Sequence, residues 1–470
     1  MLEKLPSPVT NPSIDDAPPP GFKDWAGMVT IQPKLYFRPK TIEELKAFLL
    51  GILGGFLPQS APRVLGGLHS CSNICVSDTI IDTSAMPRTI EFDPDFHRVT
   101  VTTNWHLHDF LLALGEHGKS ISATGGTDHQ TLAGVISTNT APASANHLIY
   151  DLVEWIEYLT IAEDGKLVVE KRIHHTEPAF RAVVASLGAI GILTKVQFRL
   201  IDQPFYETIQ KIISLKDVLT DIEQTSHGYD FWRIDWIPDT DNGLFWAAKR
   251  VPLADPAGDY VEDQAENILV AVFNTLDKFE SAGPLLDNAM RLIYAGISLA
   301  YGQVKASGPL RSMLPVDRRA PLRVAMAEWS FDPADLQAVI SHCREYFKKH
   351  GWPNLPIEIE PTKTDNFYMS PNNWPGLPYI MKFNFMYLTD VCKTPEEKEK
   401  IYTHLHGLWD FLTKVGIPFK AHWGKINFMN HEFVQSHYDL EAFQPYTRPL
   451  FLNSYLIERL TPPGEFPAKS

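Results

Sequence analysis

The sequence predicts a mixed α and β fold with a ligand-holding first half and a less regular, strand-containing second half. Three observations predict it. Up to Leu200, short β-branched runs alternate with amphipathic stretches. Three clusters of small residues interrupt that alternation, at 66–70, 123–138 and 185–194. Beyond residue 206 the alternation loosens, although Arg323–Phe331 still reads as a strand.

Pro33 to Pro39 reads as extended. Thr41-Ile-Glu-Glu44 is a capping box, predicting a helix that reaches Leu53. The apolar pair Val64-Leu65 reads as a strand that runs into Gly66-Gly67, then Leu68, His69 and Ser70. Such glycines either take positive φ or let the backbone approach a ligand closely. Successive N–H groups in such a turn can form an anion-binding nest. Thr79–Asp82 and Arg98–Thr103 are strands, and Asn104 is a candidate cap for a helix that Gly118 ends. The second cluster, Ala123 to Thr140, offers Gly125, Gly126 and Gly134 with hydroxyls at Thr124, Thr127, Thr131, Ser137 and Thr138. Many donors with little bulk suit a diphosphate or a flat ring. Leu152–Ile161 and Lys166–Val169 form a hairpin about Gly165. The third cluster carries Gly188 and Gly191 ahead of Ile192 and a strand from Lys195 to Leu200. Three such loops on alternating strands and helices argue for one extended ligand.

Composition narrows the function classes. The 470 residues are 44% hydrophobic and 21% charged, with a formal net charge of −14, which disfavours nucleic acid and anionic membranes as partners. No run is long and apolar enough for a membrane span, and residues 1–21 read as a polar arm without a leader's apolar stretch, so a soluble, cytoplasmic chain is expected. Four cysteines without a Cys-x-x-Cys pair read as reduced and structural. His106-Leu-His108 and His174-His175-Thr-Glu177 fit no common zinc spacing, so no metal is expected. No Gly-x-Gly-x-x-Gly follows a strand, and neither a P-loop nor a Gly-x-Ser-x-Gly elbow occurs.

The three loops, in this order, resemble those of the vanillyl-alcohol-oxidase (p-cresol methylhydroxylase) flavoprotein superfamily. Within it they are most similar to the sugar-1,4-lactone oxidases, gulono- and arabinono-lactone oxidases, with alditol oxidase as a cousin. Gly66-Gly67-Leu68-His69-Ser70 resembles Gly-x-Gly-His-Ser. Gly134-Val-Ile-Ser137-Thr138 resembles the end of the second loop, and Ser186-Leu-Gly188-Ala-Ile-Gly191-Ile192-Leu-Thr194 the third. The resemblance implies FAD between two α+β lobes (residues 22–205), a sheet-based substrate or cap domain (206–415) and a C-terminal segment (416–470) that returns to the flavin. It implies the diphosphate on the first two loops and a covalent bond from His69 to the flavin 8α-methyl carbon. The second loop has no cysteine, so one such bond is implied. Gly125 stands at the position over the flavin that is glycine in oxidases, which implies molecular oxygen as acceptor. Leu68 stands where a second glycine is usual. Either Gly67 absorbs the turn, or the loop packs differently against the diphosphate.

In the second half, Glu328 lies within an apolar strand. A carboxylate there either faces solvent or is buried with a partner. The resemblance favours burial, in a strand facing the flavin. His422-Trp423-Gly424-Lys425 resembles the family's His-Trp-x-Lys, and Phe451-Leu-Asn-Ser-Tyr-Leu456 its terminal segment. The implied catalytic groups are Glu328, Lys425 and His422, with Lys425 also near the flavin. Three places depart from the pattern: Ser330, Ala141–Ala143, and Glu360 where an arginine is usual, so that a clamp built on that arginine is absent. The implied activity is oxidation of a CH–OH group of a small polar cyclic alcohol or lactone, with hydrogen peroxide as the product of oxygen. A biosynthetic oxidase of a larger metabolite and a non-catalytic flavin-binding protein are the alternatives.

Overall fold

Four elements build a small parallel sheet first: β1 (Leu35–Phe37), α1 (Ile42–Leu53), β2 (Arg63–Leu65) and β3 (Thr79–Asp82), with strand order β1-β3-β2. They belong to a computed structural model that describes residues 21–58, 60–237, 239–252, 303–310, 323–390, 392 and 394–464; the expected arm, Gly21 apart, lies outside them. Helix α1 starts where its box predicts. Thr41 accepts from the Glu44 N–H at 3.1 Å, and the Glu44 carboxylate takes the Lys40 N–H at 2.7 Å. Its apolar face, Leu45, Phe48, Leu49 and Ile52, is buried, with Phe48 stacked on Phe37 at 4.1 Å.

The next elements are β4 (Ile90–Phe92), β5 (Arg98–Thr102), α2 (Leu107–Glu116), α3 (Leu132–Ser137), β6 (Val153–Ile161), β7 (Val168–His174) and β8 (Ile192–Arg199). Their strands form an antiparallel sheet in the order β7-β6-β8-β5-β4. Val99 and Val101 are buried on β5 while the residues between them are not, as its alternation predicts. Two expectations are corrected. Asn104 caps no helix: its Nδ2 donates to the Thr83 and Met86 carbonyls, and α2 begins after His106. Strand β8 starts at Ile192, three residues before the expected Lys195, because Ile192 already pairs with Leu159 of β6 ahead of a register shift.

The second half contributes, among others, β9 (Phe205–Ser214), β10 (Phe231–Trp236), β11 (Asn242–Val251), β12 (Gln303–Pro309), β13 (Val324–Phe331), α4 (Leu336–His350), β14 (Ile357–Lys363), β15 (Tyr379–Leu388), α5 (Pro395–Val415), β16 (Lys420–Ala421) and α6 (Ser454–Leu460). Their strands make one antiparallel sheet in the order β12-β9-β11-β10-β14-β15-β13-β16. Helices α4 and α5 cover one face through aromatic contacts such as Trp329–Trp409 at 5.5 Å, and Tyr346 of α4 donates to the His404 carbonyl of α5 at 2.9 Å. The register sets two polar rows across three neighbouring strands. Glu358, Asn384 and Glu328 lie side by side, and so do Glu360, Lys382 and Ser330. Side chains alternate faces along a strand, so both rows share one face.

Two long-range ties complete the frame. Arg63 of β2 donates to the carbonyls of Leu187, Gly188 and Phe451 at 2.6, 3.2 and 3.1 Å. Asn453 donates to the carbonyls of Asn73, Ile74 and Val76. Among the described residues, no helix is long and apolar enough to cross a membrane.

Gly191 is required by packing. A Cβ there would lie 2.1 Å from the Leu159 carbonyl oxygen, whereas one on Gly126 would meet nothing within 4 Å. Gly191→Ala is therefore expected to cost about 3 kcal/mol of stability, and Gly126→Ala to stay within about 0.5 kcal/mol of the parent. Urea denaturation of the two variants checks this.

Candidate active site

Gly67 does not absorb the turn of the first loop. Gly66 and Gly67 do not take positive φ; Leu68 does, at 57°. The left-handed region costs an L-residue about 1–2 kcal/mol. Leu68 is held there by the Trp25 N–H, which donates to its carbonyl at 2.8 Å, and by apolar packing beside Val29, Ile31 and Ile80. The two glycines serve close approach instead. Cβ atoms on them would stand 2.6 Å from Thr131 Oγ1 and 2.5 Å from the His129 carbonyl oxygen. The first and second loops thus touch backbone to backbone. His106 and His108, left without a metal role above, hold the second loop: His106 Nδ1 lies 2.7 Å from the His129 carbonyl and His108 Nδ1 2.7 Å from Asp128.

A cavity runs between the three loops. The whole first loop, Gly66 to Ser70, lines it, as do Thr131, Gly134, Ser137 and Thr138 of the second and Gly188, Gly191 and Ile192 of the third. A second cavity opens beyond it under the polar rows of the large sheet. Thr124, Gly125 and Gly126 line this one, together with Glu328, His422 and Lys425. His69 and Gln130 border both.

The C-terminal segment reaches this junction through hydrogen bonds to the first loop. The Cys71 N–H donates to the Gly424 carbonyl at 2.8 Å, and Ser72 Oγ to the Trp423 carbonyl at 2.7 Å. Trp423 Nε1 donates to the Met369 carbonyl at 2.9 Å, and the His422 N–H to the Glu328 carbonyl at 2.9 Å. A Cβ on Gly424 would sit 3.0 Å from Ser70 Oγ. His422 and Lys425 are therefore placed against β13 on one side and the His69 loop on the other.

Electrostatics assign protonation states. Burial lowers His69 to about 4, with the Lys425 ammonium adding to it, so its imidazole is neutral near pH 7. Burial likewise lowers His422 to about 4. Its Nδ1 accepts the Gly424 N–H at 3.1 Å, which puts the proton on Nε2 and makes that atom a donor. Glu328 is buried, which pushes its carboxyl up, but the ammonium groups of Lys382 and Lys425 outweigh this and hold it below its ordinary value. Glu360 rises to about 7 through burial, despite Lys382 Nζ at 2.6 Å.

The residues present fit an elongated anionic cofactor. Arg63 is buried, forms no ion pair among the described residues, borders the first cavity and leaves Nε without a hydrogen-bond partner. Such a cation suits a diphosphate. In the second cavity Thr127 Oγ1 and Asn384 Oδ1 also lack partners, as polar ligand contacts would require. Sequence reasoning missed Arg63 and Gln130, and it missed Arg233, Trp246, Lys382 and Asn384, which line the second cavity. It read only that a clamp built on an arginine at 360 is absent; Lys382, opposite Glu360 in register, is a cation beside that position.

Residues 196–448 match the family described as D-arabinono-1,4-lactone oxidase, and residues 33–170 match an FAD binding domain. D-arabinono-1,4-lactone oxidase of Kluyveromyces lactis is 29% identical over 243 residues, covering 50% of this chain and 45% of the relative. L-gulonolactone oxidase of Bos taurus is 27% identical over 224 residues, covering 47% and 49%. The chain spans about half the length of the curated relatives it matches. Cholesterol oxidase from Brevibacterium sterolicum superposes with a TM-score of 0.73 at 13% identity, over 98% of this chain and 100% of that one. The fold is accordingly of the vanillyl-alcohol-oxidase type.

Gly125 has a steric reason of its own, since a Cβ there would meet Thr140 Cγ2 at 2.5 Å. Gly125→Ala alone is expected to lower thermal stability by displacing Thr140. Adding Thr140→Ser, which removes the methyl and keeps the hydroxyl, should restore it. Melting temperatures of the single and double variants test this and separate packing from any effect on oxygen reactivity.

Proposed function

The chain belongs to the D-arabinono-1,4-lactone oxidase family, and on that premise we propose that it oxidises a CH–OH group of a small, uncharged, hydroxylated lactone and passes the electrons to molecular oxygen, forming hydrogen peroxide. The observation that carries this reading is the meeting of the two cavities at His69, with Glu328, His422 and Lys425 lining the second. Bound FAD supplies the acceptor for the carbinol hydride.

Each residue's task follows from its state. The three loops and Arg63 hold the cofactor. His69 borders both cavities with a neutral imidazole, the form that can bond to the 8α-methyl carbon of the flavin. The Glu328 carboxylate is ionised and accepts the hydroxyl proton as the hydride leaves. His422 Nε2–H donates to a substrate oxygen and is not the base, because its other nitrogen is engaged by Gly424. The charge of Lys425 is felt at both His69 and Glu328, which places it to bind an oxygen that gains negative character. The unpartnered Thr127 Oγ1 and Asn384 Oδ1 are available to the substrate's remaining hydroxyls.

Two outcomes test this. With D-arabinono-1,4-lactone under anaerobic conditions, the flavin of the parent bleaches, and Glu328→Gln slows the bleaching by roughly 10²–10⁴-fold. The working form of Glu328 is its carboxylate and its pKa is lowered, so the parent rate is flat from neutral pH down through the ordinary glutamate range and falls only below it. A fall beginning near pH 7 would contradict the assignment. Separately, acid-precipitated protein stays yellow, and His69→Ala releases the colour to the supernatant. A colourless parent pellet removes the covalent bond and leaves FAD binding in place.

A further inference from the structure

We infer that Lys382 is a substrate-binding, specificity-determining residue, whose ammonium is fixed by Glu360 and by the Ala141 carbonyl so that one N–H remains for an oxygen of the ligand. Lys382 is 1% exposed to solvent and borders the second cavity. Its Nζ lies 2.6 Å from Glu360 Oε1 and donates to the Ala141 carbonyl at 3.2 Å. An ammonium has three N–H donors; these two contacts use two of them.

The neighbouring groups indicate what the third one meets. Asn384 stands two residues along β15, on the same face, and its Oδ1 is buried at the cavity without a partner. A hydroxyl both accepts and donates, so one hydroxyl of a ligand satisfies Lys382 and Asn384 together. A carboxylate in that place would have only one of the two to bond with. It would also meet Glu328, Glu358 and Glu360, which outnumber the cavity's other two cations, Arg233 and Lys425. The Lys382–Asn384 step is therefore a subsite for a neutral hydroxylated ring. A stabilising role alone explains the pair poorly, because a buried ion pair is commonly no better than well-packed apolar residues.

The inference rests on the proposed function for its choice of probes. The dissociation constant of the diol comes from the difference spectrum of the bound flavin in the holoenzyme, and that of the lactone from the concentration dependence of anaerobic bleaching or, where it does not bleach the flavin, from the same difference spectrum. The probes are D-arabinono-1,4-lactone and the cyclic diol 1,4-anhydroerythritol. Lys382→Met leaves Glu360 buried and unpaired and is a risk to folding. The double variant Lys382→Met/Glu360→Gln removes both charges and is the decisive one. With FAD content and melting temperature near those of the parent, it is expected to bind both probes at least ten times more weakly. Parent-like affinity in the double variant, or a parent flavin unmoved by either probe, overturns the inference. A parent that binds both probes and is bleached by neither, while the double variant loses the binding, refutes the proposed oxidation and retains the subsite.

Discussion

The buried guanidinium of Arg63 is the constraint on which the cofactor cavity depends. Three carbonyls converge on it, from Leu187 and Gly188 in the third loop and from Phe451 near the C-terminus. These segments are remote in sequence, and one side chain holds them in register with β2. Burial lowers the pKa of Arg63, yet arginine stays charged in proteins. With no carboxylate beside it among the described residues, its charge is spread over carbonyl dipoles. The unspent Nε, bordering the cavity, is the group that an anion completes. The same constraint explains Gly188, whose φ is +66° and whose Cβ would lie 3.0 Å from the Arg63 Nη2. The third loop is shaped around this cation as well as around the ligand.

From that frame the site assembles in two directions. The first loop leaves β2, and Leu68 turns it toward the second loop. The segment 422–425 arrives from the other side and is tied to residues 71 and 72 and to Glu328 by backbone-directed bonds. Three of the four residues that meet at the junction, His69, Glu328 and His422, carry protonation states set by burial and by nearby ammonium groups. The assignment of Glu328 as acceptor and His422 as donor rests on those states and on the Gly424 N–H.

How much of this was legible in the sequence follows from the range of the interactions. Helix α1 was readable because its box is a local arrangement, and the loops because small residues cluster whatever the tertiary structure does. The limits of β8 were not, since they depend on pairing with β6. Leu68 could not be read because its conformation is fixed by Trp25, far back in the chain. Lys382 carries no local signal at all. It looks like a charge in an apolar strand until the register of β14, β15 and β13 places Glu360 and Ser330 on either side of it. Of the departures from the family pattern, Ser330, Glu360 and Ala141 are its neighbours in register or in hydrogen bonding. They read as unrelated losses in the sequence and as one rearrangement in space.

The two walls of the site tolerate change differently, for a physical reason. The loop wall is made by backbone contact. Cβ atoms on Gly66, Gly67, Gly125 and Gly191 would approach their nearest neighbours to 2.6, 2.5, 2.5 and 2.1 Å, closer than any side chain can be accommodated without moving main chain or a packed threonine. Leu68 departs there through a conformation that needs no extra space. The sheet wall is made by side chains on regular strands, where a substitution changes chemistry without disturbing the ladder of backbone bonds. A cation can move from one strand to the next when an anion takes its former place, because the local charge stays balanced and the sheet is unaltered. The loops thereby resist substitution, while the chemistry of the second cavity is free to shift along the rows of β13, β15 and β14.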